Sequence, residues 1–136
     1  MRTLTIEVAL PDPRLHPNGG DRWNHRMIAR LKKETRHESA TMARVAIARS
    51  GLELPTTLPW PSARLSLIYE FASVRNFQNR DDDGLIAWAK HSRDGLADAC
   101  IVANDRHFTI DVPRMRVSRD GGNRLIMLVT PTEEIQ

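Results

Sequence analysis

A chain of 136 residues buries roughly two-thirds of its unfolded surface on folding, enough for one core and not two. Residues 1–136 are therefore read as a single domain. Apolar residues make up 40% and charged residues 27%, which excludes a disordered tail, and no apolar run approaches the roughly 20 residues that span a bilayer. The single Cys100 excludes an internal disulfide framework and the common Cys-rich zinc sites. Met1 to Leu10 alternates instead of forming an apolar signal core, so the expectation is a reduced, cytoplasmic protein.

Charge carries more information. There are 20 Lys and Arg against 17 Asp and Glu, a net +3, and 17 of the bases are Arg, whose forked guanidinium matches phosphate geometry. Asp81 to Asp105 holds six acids against Lys90 and Arg93, a local −4 in a chain that is otherwise +7. An acidic island in a basic protein fits a polyanion binder with a metal site, and it equally fits a surface on which acids and bases pair.

In chain order, Leu4, Ile6 and Val8 alternate with Thr3, Thr5 and Glu7, the period of a half-buried strand. Pro11, Pro13, Pro17 and Gly19-Gly20 then forbid regular structure. From about Trp23 to Ser50 the pattern is helical, with Gly51 as the stop, and a break is expected near Thr35 to Ser39. A loop follows over Gly51 to Ser62, with Pro55, Pro59 and Pro61. Leu65, Leu67, Tyr69 and Phe71 share one face of a second strand. A second helix is predicted from about Asp83 to Ala99. Phe108, Ile110 and Val112 mark a third strand, interrupted at Pro113 and resumed through Met115 and Val117. Asp120-Gly121-Gly122-Asn123 is a hairpin signal into a last strand, Arg124 to Val129. The order is β-α-β-α-β-β, an α+β domain with helices on a small mixed sheet.

Asp81-Asp82-Asp83 falls where the second helix begins. Asp is favoured at N-caps and in first turns, so the run taken alone reads as a cap. A further carboxylate converging on it would require a cation or a proton, and Asp105, in the turn beyond the helix, is the candidate. Oxygen ligands without a Cys pair favour Mg²⁺ or Mn²⁺, a metal that polarises phosphodiesters. On one helix, Asp83, Ala87, Lys90 and Asp94 lie within about 40° of one another. Lys90 is then placed either to hold a phosphate or simply to pair with Asp94.

Arg80-Asp81-Asp82-Asp83-Gly84-Leu85, Lys90, Asp94-Gly95-Leu96-Ala97-Asp98-Ala99 and Asn104-Asp105 together resemble, over about 26 residues, the signature of RusA-type Holliday junction resolvases, especially phage-borne ones. The resemblance implies a homodimeric, Mg²⁺-dependent (or Mn²⁺-dependent) endonuclease acting on four-way DNA junctions in a bacterial, phage or prophage setting. By position, Asp81, Asp83 and Asp105 would be the metal-binding catalytic carboxylates and Lys90 the basic catalytic residue. Three positions depart from the pattern: Gly84 stands for Asn, Asn104 for the first Asp of a D-D pair, and Cys100 for Gly. Those departures leave a second reading open, a junction-binding protein of the same fold with weak or no cleavage.

Arg22, Arg26, Arg30, Lys33 and Arg36 share one side of the first helix, with Arg44 in line. They form either a ridge that tracks a phosphate backbone or, with Glu34 and Glu38, a solvated ion-paired face. Arg80 and Arg75, beside the acids, are further phosphate candidates. Among the aromatics, Trp88 reads as core or dimer interface and Phe77 as the one placed near DNA. His91, Asn104 and His107 suggest a His-Asn-His nuclease, but His91 falls inside a predicted helix, where that motif does not put it.

Overall fold

The computed structural model describes residues 3–16, 24–51, 58–78 and 80–132. Among them run β1 (Leu4–Val8), α1 (His25–Ser50), β2 (Ala63–Phe71), α2 (Asp82–Trp88), α3 (Lys90–Asp98), β3 (Phe108–Ile110), β4 (Arg114–Val117) and β5 (Arg124–Pro131). The Gly19-Gly20 loop, Arg22, Trp23 and Pro55 lie outside the described residues. The fold is α+β with a mixed five-stranded sheet. Among the described residues no helix is long and apolar enough to cross a membrane.

The period-2 pattern of β1 buries Leu4, Ile6 and Val8 and exposes the residues between them. β5 lies between β1 and β2, antiparallel to both, so three rows cross the sheet: Leu4, Val129, Leu65; then Ile6, Met127, Leu67; then Val8, Leu125, Tyr69. All nine side chains are buried, and each such aliphatic side chain contributes about 1.5–3 kcal/mol. Ala43 and Ile47 of α1 and Leu96 of α3 join the same core, which places the helices over this face.

Four expectations need correction. α1 does not break near Thr35 to Ser39; it runs unbroken from a cap at Asn24, whose side chain accepts from the Arg26 and Met27 amides, to Gly51 in the left-handed region. The suspected break is where α3 crosses: Ser39 Oγ donates to the Ser92 carbonyl at 2.5 Å, and Arg36 pairs with Asp98. Tertiary contact there outweighs weak local propensity. Conversely, the second helix is two. Ala89, at φ −86° and ψ 4°, separates α2 from α3, and Arg93 crosses the break to donate to the Ile86 carbonyl at 3.1 Å. The interrupted third strand likewise becomes β3 and β4, so the order is β-α-β-α-α-β-β-β. Finally, the Asp120–Asn123 turn forms, with Gly121 at φ 76°, but the strands it joins are not neighbours. β4 pairs parallel with β2, and β5 pairs along β2's opposite edge. A turn fixes only the reversal of direction; burying β2, the longest strand, in the middle decides adjacency.

Candidate active site

The acidic segment hangs on the end of β2. Tyr69 donates its hydroxyl to the Leu85 carbonyl at 2.5 Å, and Trp88 stacks on the Tyr69 ring at 5.4 Å with 3° between planes. Trp88 Nε1 also donates to the Asp12 carbonyl at 3.1 Å. α2 is thereby fixed to the sheet and to the chain after β1, and Trp88 belongs to the core. Burial pushes the Tyr69 phenol well above its usual range, against the pull of Arg93 and Arg80.

Asp81 is the N-cap of α2: its Oδ1 accepts from the Gly84 amide at 2.7 Å. Asp82 and Asp83 occupy the first turn, and all three carboxylate residues are exposed. A side chain at Gly84 would bring its Cβ to 2.6 Å from Asp81 Oδ1 and 3.5 Å from His16 Nε2. The His16 distance is an ordinary contact, so what a Cβ at this departure from the resolvase pattern would displace is the capping Asp81 carboxylate. Burial and nearby Arg80 push the His16 pKa down, and Asp81 pulls it up.

Beyond the Ala89 break a second acidic group forms. Lys90 Nζ donates to Asp105 at 2.6 Å and to Asp94 at 2.9 Å. Arg93, almost fully buried, brings a guanidinium nitrogen to 3.5 Å from the same Asp105 oxygen. The Lys90 hydrogen bond holds the Asp105 carboxyl below its usual range despite partial burial, with Arg93 adding to the effect. Reciprocally, Asp105 and then Asp94 raise the Lys90 ammonium. Asp105 is presented by the one-turn helix Asp105–His107, which Asn104 caps through the Arg106 amide at 3.1 Å. Asn104 thus fills the capping role that an Asp would fill.

The structure therefore brings Lys90 and Asp105 into contact, together with Asp94. The stripe linking Lys90 to Asp83 assumed a single helix, and the break at Ala89 removes that assumption. The donors are all carboxylate oxygens, which suit a hard cation. In placement, among the described residues no three His, Cys, Asp or Glu side chains gather as a metal-ligand group, Asp81, Asp83 and Asp105 included.

The other candidates are dispersed. Arg80 lays its guanidinium over the rings of Trp88 at 4.6 Å and Phe71 at 4.9 Å, while its Nε donates to the Asn76 carbonyl at 2.6 Å. Arg75 is exposed in the Val74–Phe77 turn. Phe77 is half-buried and packs on Phe71 at 5.8 Å, which ties it to the core. Arg26, Arg30 and Lys33 are exposed on α1, Arg30 being 3.6 Å from Glu34; Arg22 lies outside the described residues. His91 sits in the first turn of α3, 3.9 Å from Asp94, and Asn104 and His107 flank Asp105. Arg93, which ties α2, α3 and Asp105 together, has no signal in the sequence beyond its charge, although it falls on the buried stripe of Leu85, Ala89, Ser92 and Leu96.

Comparison of the sequence with protein-family models gives no match, and comparison with curated proteins gives none either.

Proposed function

We propose that the protein is a structure-selective DNA endonuclease of the resolvase type, a homodimer that nicks four-way junctions in the cytoplasm of a bacterial or phage-infected host. The observation that carries the reading is the Lys90–Asp105 contact. It brings two residues of the motif, 15 apart in sequence, to one partly buried charge centre. Asp81, Asp83 and Asp105 are the carboxylates assigned to Mg²⁺ or Mn²⁺. Bound there, such an ion would polarise the phosphodiester and lower the pKa of a water. Lys90, kept charged by Asp94 and Asp105, is the cation available to a phosphate oxygen as negative charge builds on it. Two symmetric cuts need two sites, so a two-fold dimer is part of the proposal.

The test is a synthetic four-way junction beside linear duplex, with Mg²⁺ or Mn²⁺. Paired nicks at the junction are expected, lost in Asp83→Asn and Asp105→Asn with binding kept. Lys90→Ala should slow nicking by about 10²–10³-fold, the scale for removing one group that meets developing charge. Undiminished cutting by either Asp variant would overturn the assignment.

One observation favours a second reading, a junction-binding protein with weak or no cleavage: Asp105 is already neutralised by Lys90 and Arg93. That reading expects salt-sensitive junction binding with no metal-dependent turnover. Calorimetric Mn²⁺ uptake that disappears in Asp105→Asn, together with nicking, would reject it.

A further inference from the structure

We propose that the nucleic-acid backbone is held in the open cleft between the start of α1, the one-turn helix Pro13–Leu15 and the α2–α3 junction, with Lys32 as its principal contact, and not along the Arg26, Arg30 and Lys33 ridge. This deepens the reading above and rests on it.

The cleft has a volume of about 550 Å³, within the range of about 300–1,000 Å³ that encloses a small ligand or one stretch of a larger one. Its charged and titratable wall is made by Arg14, His16, His25, Lys32, Lys90, His91 and Arg93, over a floor that includes Ile28 and Ala87. Among the described residues no acidic side chain lines it. Asp12, Asp94 and Asp105, which are not among the lining residues, hold Arg14, Lys90 and Arg93, and Asp94 also lies 3.9 Å from His91. Lys32 has no ion pair among the described residues, and its charge acts directly on His91, whose pKa burial and then Lys32 push down. With Arg14, Lys90 and Arg93 each held by a carboxylate, Lys32 is the cation of this wall whose charge is left for a phosphodiester oxygen, an attraction strengthened where the cleft limits water.

The groove beside the ridge differs. It is lined by Arg30, Lys33, Arg36 and Arg44, but also by Glu34 and Asp98, and Arg36 and Asp98 are already closed into a two-hydrogen-bond pair of 2.5 and 2.8 Å. Glu34 and Asp98 thus stand in the wall of that groove, where they would face a bound phosphate directly. The cleft also reaches Lys90, so a strand seated in it arrives at the group assigned to the scissile phosphate.

Lys32 and Lys33 allow a matched comparison, because Lys32→Glu and Lys33→Glu make the same charge change on neighbouring exposed positions of α1. Fluorescence anisotropy of a labelled four-way junction, titrated at several salt concentrations without metal, should show Lys32→Glu binding at least about tenfold more weakly. Its salt slope should be shallower by about one phosphate contact, and Lys33→Glu should stay within about threefold of the parent. Equal losses, a larger loss in Lys33→Glu, or a parent chain that does not bind would overturn the cleft. The nicking assay separates the two proposals. Nicking that ignores Lys32 removes the cleft alone, whereas a Lys32-dependent binding curve without metal-dependent nicking removes the endonuclease and keeps the cleft.

Discussion

Cys100 shows how much one side chain can reveal about a backbone. It takes φ +66°, the left-handed region that costs an ordinary residue about 1–2 kcal/mol. It does so because α3 ends in a Schellman turn: the Ile101 amide donates to the Leu96 carbonyl at 3.3 Å and the Cys100 amide to the Ala97 carbonyl at 2.9 Å. Leu96 and Ile101, both fully buried, make the apolar contact that accompanies this motif. The position is where the resolvase pattern has Gly, so the departure leaves the turn intact and strains it. Cys100→Gly should relieve the strain, and the larger unfolded-state entropy of Gly offsets part of the gain. The expected net effect is a stabilisation of about 0.5–1 kcal/mol, a rise in Tm of about 1–4 °C. The thiol is exposed, so no packing is lost; a lower Tm for the variant would show that the turn does not govern this position.

At the scale of elements the decisive contact is the crossing of α1 and α3. A Cβ on Gly95 would fall 2.7 Å from Ser39 Cβ and 2.9 Å from the Ala40 amide, and against the Arg36 carbonyl as well. Backbone atoms of a helix cannot swing aside as a long side chain can. Gly95→Ala should therefore destabilise by about 1–3 kcal/mol through overpacking, although Ala is the better helix former by about 1 kcal/mol. Urea denaturation reads the sign directly, and a midpoint at or above that of the parent would contradict the close crossing. The sequence made the motif Asp94-Gly95-Leu96 visible but not the reason for its glycine, because that reason lies in residues 36–40 of another helix. Similar limits apply elsewhere. Period-2 alternation in β1 and β2, the Gly51 stop and the cap at Asp81 are local and were legible. The Ala89 break, the intact middle of α1 and the separation of β4 from β5 depend on what packs where. For the candidate site, the pairing of Lys90 with Asp94 followed from i,i+4 spacing, whereas the approach of Asp105 to Lys90 and Arg93 required the fold.

Across the described residues several ion pairs share one direction of response to acid. Arg36 donating to Asp98, and Lys90 donating to Asp105, hold those carboxyls below their usual range against partial burial. Asp111 is held low by Ser66 and, behind it, Arg64. For Glu70, burial raises the pKa, but the hydrogen bonds from Arg116 and Arg124 outweigh it and the carboxyl ends low. A carboxyl depressed in the folded state contributes stability above its unfolded pKa of about 4 and loses it as pH falls through the folded value. His16 and His91, pushed down chiefly by burial, act in the same direction earlier: the unfolded chain takes up their protons first as pH drops below about 6.5. Stability should thus decline in two stages on acidification, a shallow one below about pH 6.5 and a steeper one below about pH 4. The Asp98 side chain is 36% exposed and its Arg36 partner 51%, so solvent screening holds that pair to about 0.2–1 kcal/mol. Asp98→Asn should lower Tm slightly at pH 7 and flatten the steep stage, while His91→Gln should flatten only the shallow one. Tm measured by circular dichroism from pH 3 to 8 on the parent and both variants tests this. A parent curve that rises on acidification, or variants that flatten the opposite stages, would mean that these pairs do not set the acid limit of the fold.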